Sequence, residues 1–219
     1  MFDVNIGIVA GGPEKALASL ISYQDDVDIW IGADLGASYL LRNQLPIDIA
    51  IGDFDSIDLE EKELIKQQAN IFREFPVEKN ETDLELAVEA ALSYHPASIF
   101  LFGVTAGRLD HELANIQMLY RLIEKNVSAK IIDHKNILSI YKPGEYDVQA
   151  NSSELVSFIP LTPIVKGLTL HGFCYPLDNY TVTWGSTRCI SNQLINEQGT
   201  FLFNDGILIM IKSTEEDHP

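Results

Sequence analysis

Two hydrophobic periods alternate through the first half of the chain, and that alternation constrains the fold more than any other feature. Largely apolar runs of strand length are VNIGIVA (4–10), DIWIGAD (28–34), DIAIGD (48–53) and SIFLFGV (98–104), and NIFREF (70–75) reads as a further strand. Between and after them lie segments with helical spacing: EKALASLISY (14–23), LGASYLLRN (35–43), LEEKELIKQQ (59–68), TDLELAVEAALSY (82–94) and LDHELANIQMLYRLIEK (109–125). A strand with no polar face must be covered on both sides, and intervening helices do this when the strands run parallel. The expected first domain, residues 1–127, is therefore a three-layer, Rossmann-like α/β fold with a parallel sheet.

After residue 127 the helical period disappears. AKIIDH (129–134), NILSIYKPG (136–144), LVSFIPL (155–161), KGLTLHGF (166–173), TVTWGST (181–187) and GTFLFNDGILIMIKS (199–213) are short strands separated by turn residues. They predict an antiparallel all-β sandwich over 128–219. Asp205-Gly206 suits a type I′ hairpin turn, and the polar tail TEEDHP reads as a frayed end.

No apolar run is long enough to span a bilayer, so no membrane association is expected. MFDVNIGIVAGG lacks a basic leader region, and there are only 2 cysteines. A cytoplasmic, reducing setting is the expectation. The net charge of −17 argues against non-specific binding to nucleic acid and favours cationic ligands.

Ligands of open parallel sheets bind beyond the carboxyl ends of the strands, and there the acidic residues gather. Asp34 ends the second strand. Asp53 and Asp55, in IGDFDSI, follow the third. Lys79, Thr82 and Asp83 lie in the loop after the fourth, and Gly103, Gly107, Arg108 and Asp110 follow the fifth. Singly, most of these have bland readings. Thr82 with Glu85 fits a capping box, Asp34, Asp83 and Asp110 suit helix starts, and His111 reads as a solvated surface residue. Caps do not explain Asp53 beside Asp55, because two close carboxylates repel unless a cation lies between them. With Asp83 and Asp110 they make a hard-oxygen donor set suited to Mg²⁺, which prefers to share its shell with phosphates. Lys79 and Arg108 would face the phosphate oxygens. The chemistry implied is metal-assisted phosphoryl or pyrophosphoryl transfer.

DFDSI also comes close to the D-x-D motif of haloacid-dehalogenase-like phosphatases. That motif ends a first strand, whereas here it ends the third, and Ile57 stands where Thr or Val is expected. A non-catalytic nucleotide- or metal-sensing module is a further alternative, separated from an enzyme by turnover. The motifs GADLGASYLL, IGDFDSI, ETDLELAVEAAL, GVTAGRLDHELANIQML and YPLDNYTVTWGSTRCISNQL, in that order, resemble the thiamine pyrophosphokinases over nearly the whole chain. The resemblance implies an ATP-handling α/β domain, a thiamine-binding β-sandwich, and a homodimer with the thiamine site between subunits. It implies transfer of a pyrophosphoryl group from ATP to the thiamine hydroxyl, with Mg²⁺ as cofactor. By motif, Asp53, Asp55, Asp83 and Asp110 resemble the metal and phosphate-site acids. Asp34, Thr82, Gly107 and Arg108 look like nucleotide-pocket residues, to which Lys79 is added for its charge beside the phosphates, and Ser191 and Asn192 like the thiamine-side pair. The sequence departs from some members at Gln193-Leu194-Ile195, where they carry an aromatic residue. Trp184 is a candidate to cover the thiamine rings, the alternative being a Trp of the sandwich core.

Overall fold

Strands β1 (Asn5–Val9), β2 (Ile29–Ala33), β3 (Ile49–Gly52), β4 (Ile71–Glu74), β5 (Ser98–Phe102) and β6 (Ser128–Ile132) lie in the order β4-β3-β2-β1-β5-β6, every neighbouring pair parallel. The computed structural model describes residues 4–214, and these divide into two units, 4–134 and 135–214. The tail beginning TEEDHP, beyond its first residue, lies outside the described residues. In the first unit the helices are α1 (Leu35–Arg42), α2 (Leu59–Gln68), α3 (Asp83–Leu92) and α4 (Leu109–Glu124). The order walks outward from β1 to β4, then returns to set β5 beside β1. Right-handed crossovers place α1 and α2 on one face and α3 and α4 on the other. Both faces of the central strands are covered accordingly: Ile6, Ile8, Trp30, Ile31, Ile49, Ala50, Ile99 and Leu101 are all buried. The order reverses between β1 and β5, the kind of switch point beyond whose carboxyl edge open parallel sheets bind ligands.

Two expectations for this unit are corrected. Residues 14–23 form no α-helix but two 3₁₀ turns, Glu14–Ala16 and Leu20–Tyr23, with Leu17 extended between them (φ −72°, ψ 133°). The Ala16 carbonyl, which an α-helix would satisfy four residues on, instead accepts the His134 N–H at 3.0 Å. AKIIDH is not antiparallel: β6 pairs in parallel with β5, Phe102 opposite Ile132, because α4 makes one more crossover before the helical pattern stops.

The second unit contains β7 (Asn136–Tyr141), β8 (Gly144–Gln149), β9 (Glu154–Pro160), β10 (Ile164–His171), β11 (Leu177–Thr183), β12 (Gln198–Phe203) and β13 (Leu208–Thr214). They form an antiparallel ladder β7-β13-β9 and an antiparallel sheet β11-β10-β12-β8. Val156, Phe158, Leu208 and Met210 from the ladder share one core with Val165, Leu168, Leu170, Phe201 and Phe203 from the sheet. The rings of Phe158 and Phe201 meet at 5.0 Å within it. This is the sandwich the strand pattern predicts. The Asp205-Gly206 hairpin is not there, since β12 and β13 do not pair with each other. Of the two turn residues only Gly206 has a positive φ (93°), whereas type I′ needs two. Asp205 instead holds Lys166, with its carbonyl 3.0 Å from the Lys166 N–H and its carboxylate 2.8 Å from Nζ.

Candidate active site at the carboxyl edge of the parallel sheet

Helix α1 begins where β2 ends, pressed onto β1. A Cβ on Gly36 would lie 1.8 Å from the Val9 carbonyl oxygen, so only glycine allows that approach. Asp34 makes the turn between strand and helix with φ 49° and ψ −122°, and its side chain does not cap the helix. Its N–H is held by the Ile51 carbonyl at 2.9 Å, which ties β2 to β3 at this edge. Asp34 Oδ2 accepts from Ser56 Oγ at 2.8 Å, while Oδ1 is buried with no hydrogen-bond partner. Burial raises the Asp34 pKa, opposed by the Ser56 hydrogen bond.

At the end of β3, Phe54 turns inward with φ 56° and stacks on Phe72 at 4.7 Å. Anchoring this residue lets Asp53 and Asp55, on either side of it, approach Asp34. Carboxylate oxygens of Asp34, Asp53 and Asp55 all lie within 4.8 Å of one another. Ser56 Oγ is 2.8 Å from Asp34 and 3.1 Å from Asp55, so one hydroxyl proton serves two acids. Lys79 supplies the nearest positive charge. Its Nζ lies 2.8 Å from Asp53 Oδ2 and 3.0 Å from Asp83 Oδ1, with its side chain only 10% exposed. The Lys79 hydrogen bond holds Asp53 below the usual carboxylate range against the opposing pull of burial. Burial in turn pulls Lys79 down, and its bonds to Asp53 and Asp83 more than reverse this. Asp83 Oδ1 has that ion pair but no well-aligned hydrogen bond.

The remaining candidates bond to partners outside this group. Thr82 caps α3, accepting from the Glu85 N–H at 3.2 Å. Glu85 does not close a capping box, because its carboxylate is 2.6 Å from Arg121. Arg108 forks onto Asp110, Nε to Oδ1 at 3.2 Å and Nη2 to Oδ2 at 2.6 Å. That contact draws the exposed Asp110 down to about 2. Gly107 and His111 are exposed. Ser56, which links two acids, was missed by sequence reasoning, although it stands inside the DFDS motif. A serine at a turn has so many local uses that its type alone signals nothing.

In the second unit Ser191 takes a left-handed φ of 56°, and its N–H donates to Ser157 Oγ at 3.0 Å. Asn192 is 3% exposed. Its Oδ1 accepts from the N–H groups of Tyr175 (3.0 Å) and Gln193 (2.9 Å), and its Nδ2 donates to the Tyr175 carbonyl at 2.8 Å. Asn192 thus clamps the 173–176 turn. A pocket of about 290 Å³ opens beside it, lined among others by Cys174, Tyr175, Leu177 and Arg188. Trp184 is 64% exposed, so it belongs to the surface and not to the sandwich core.

Comparison with known proteins agrees over both units. Residues 20–131 match the model of the thiamin pyrophosphokinase catalytic domain, and residues 145–208 that of the thiamin pyrophosphokinase vitamin B1 binding domain. Thiamine pyrophosphokinase of Bacillus subtilis is 45% identical over 212 residues, 96% of this chain and 99% of the relative. Its crystal structure superposes with a TM-score of 0.90 over the same shares of the two chains. The enzyme of Geobacillus thermodenitrificans is 39% identical, with a TM-score of 0.85 over 97% of this chain and 98% of its own. A fold matched along its length, with family models covering both units, makes this chain a member of the thiamin pyrophosphokinase family.

Proposed function

We propose that the chain converts thiamine and ATP to thiamine diphosphate and AMP by an Mg²⁺-dependent pyrophosphoryl transfer. The observation that carries the reading is the group formed by Asp34, Asp53 and Asp55 at the carboxyl edge of the sheet. These residues fit a divalent cation: the donors are hard oxygens, one of them is buried and unpartnered, and one hydroxyl is shared between two acids. Asp53 and Asp55, with Asp34, would hold the ion; Asp83 and Asp110, expected with them, lie outside that group, Asp83 paired with Lys79 and Asp110 with Arg108. Mg²⁺, when bound, neutralises charge on the triphosphate oxygens. Lys79 and Arg108 bind those oxygens in exchange for their present carboxylate partners, Arg108 through the planar fork that here engages Asp110. Asp34, Thr82 and Gly107 border the nucleotide, Gly107 admitting it close to the backbone. Ser191 and Asn192 serve the thiamine side, Asn192 by shaping the turn at Tyr175. The acidic surroundings suit a cationic thiazolium.

The thiamine hydroxyl oxygen attacks the β-phosphorus in line, and the bond from that phosphorus to the oxygen bridging the α-phosphate breaks. AMP leaves with the bridging oxygen, and the hydroxyl proton passes to an acceptor oxygen. The chain contributes alignment and charge complementarity more than covalent chemistry. The same reading has it working in the cytoplasm as a homodimer. Incubation with ATP, Mg²⁺ and thiamine is expected to yield AMP and thiamine diphosphate in equal amounts, without thiamine monophosphate. ADP as the main product, or phosphate release without thiamine, would overturn the proposal.

A further inference from the structure

The loop from β5 to α4 carries Gly107 and Arg108; its anchors on the sheet side stop just short of them, while Arg108 is held from the helix side, its carbonyl by the Glu112 N–H and its guanidinium by Asp110. The Gly103 carbonyl accepts from the Gly12 N–H at 2.8 Å, and the Val104 carbonyl from Asn115 Nδ2 at 2.9 Å. The Thr105 hydroxyl donates to Asp133 Oδ2 at 2.9 Å. Ala106 then takes a left-handed φ of 61°, and residues 106–110 are exposed. Asp133 is only 6% exposed. It directly follows β6, whose last residue, Ile132, is in register with Phe102 at the end of β5, so the parallel pairing delivers the carboxylate to the root of the loop. The next residue is fixed as well: the Ala16 carbonyl meets the His134 N–H at 3.0 Å and His134 Nδ1 at 3.2 Å. A buried carboxylate needs compensating partners, and here one of them is the last anchored side chain before the exposed segment.

We infer that Asp133 is a positioning residue for nucleotide binding: through the Thr105 hydroxyl it sets the turn at Ala106 that presents Gly107 and Arg108 to a polyphosphate. The inference rests on the proposed function. Its physical content is pre-organisation. A loop already fixed at its turn loses less conformational freedom when it meets the phosphates, and a guanidinium placed in advance binds more tightly. Nothing in this role touches thiamine.

Thr105→Val removes the hydroxyl and keeps the shape, Thr105→Ser keeps the hydroxyl, and Asp133→Asn removes the charge. Binding of a non-hydrolysable ATP analogue with Mg²⁺ is measured by calorimetry, beside steady-state kinetics for both substrates. Thr105→Val and Asp133→Asn are each expected to raise the analogue Kd and the KM for ATP roughly tenfold. The KM for thiamine should stay within about twofold, the double variant should be no worse than the worse single one, and Thr105→Ser should recover wild-type affinity. Unchanged ATP affinity with a lowered Tm would make the contact merely structural and overturn the inference, as would additive effects in the double variant. If Asp133→Asn fails to fold, the comparison of Thr105→Val with Thr105→Ser decides alone. A wild-type chain that binds no analogue overturns this inference together with the proposed function. A wild-type chain that makes thiamine diphosphate while the variants keep their ATP affinity overturns this inference alone.

Discussion

Asp34 and Asp53 share one acidic group, yet their surroundings push their ionisation in opposite directions. Asp53 is held below its ordinary value of 3.8 by Lys79. Its contribution to stability is therefore complete above the unfolded pKa and lost as pH falls through the lower folded one. Asp34 is raised above 3.8 by burial, so at neutral pH its charge costs stability, and that cost fades as pH falls through the raised value. Asp34→Asn is expected to raise Tm at pH 7 in EDTA by about 2 °C while lowering turnover. The gain should vanish by about pH 3, where the wild-type carboxyl is neutral too; a gain that persists there would rule out charge as its cause. Asp53→Asn should fold and lower kcat about a hundredfold at saturating Mg²⁺, and near-normal turnover would remove it from the ligand set. At this scale the sequence disclosed acids better than their supports. Asp53 and Asp55 are conspicuous because two close carboxylates repel each other, and a turn alone gives no reason to place them together. Asp133 is not, because its partner Thr105 lies 28 positions away and only the parallel pairing of β5 with β6 joins them.

Among elements, those with one unambiguous period were legible. The strands β1, β2, β3 and β5, buried on both faces, stood out as unbroken apolar runs, and α3 and α4 as long helical patterns. The errors arose where tertiary contacts overrode local preference. The 14–23 segment has helical spacing, but its Ala16 carbonyl is taken by His134. β8, in GEYDVQ, has Val148 as its one buried residue, so its hydrophobic signal is too sparse to read. The closest approach between elements, α1 on β1, yields a sharp test. In Gly36→Ala the new methyl would sit 1.8 Å from the Val9 carbonyl, forcing α1 off the sheet and Asp34 out of place. A loss of about 3 kcal/mol or more is expected in denaturant unfolding. Gly185→Ala, with nothing within 4 Å of the new methyl but φ at 80°, should lose only about 1 kcal/mol. Equal losses would mean that α1 can shift without penalty.

For the whole molecule, the proposed homodimer has a consequence that stoichiometry can test. If each site takes its acids from one chain and Ser191 with Asn192 from the other, two differently damaged chains can complement each other. Co-expression of Asp53→Asn with a chain bearing bulky replacements of Ser191 and Asn192 should restore about a quarter of wild-type sites. Folded mixed dimers as inactive as their parents would assign the site to a single chain. The pairing of β13 bears on a different matter, the order of events during synthesis. That strand lies between β7 and β9 and hydrogen-bonds to both, so the middle of the ladder is made last. The α/β unit has all its strands once residue 132 has emerged from the ribosome. The β unit must wait for residues 208–214, a lag of roughly 4–15 s at ordinary translation rates. Within that interval, from the time each has emerged until β13 follows, β7 and β9 expose to the surrounding proteins the edges that β13 will pair. A premature stop just ahead of Leu208 would make that temporary exposure permanent, leaving a nascent chain whose β unit is a substrate for chaperones and proteases.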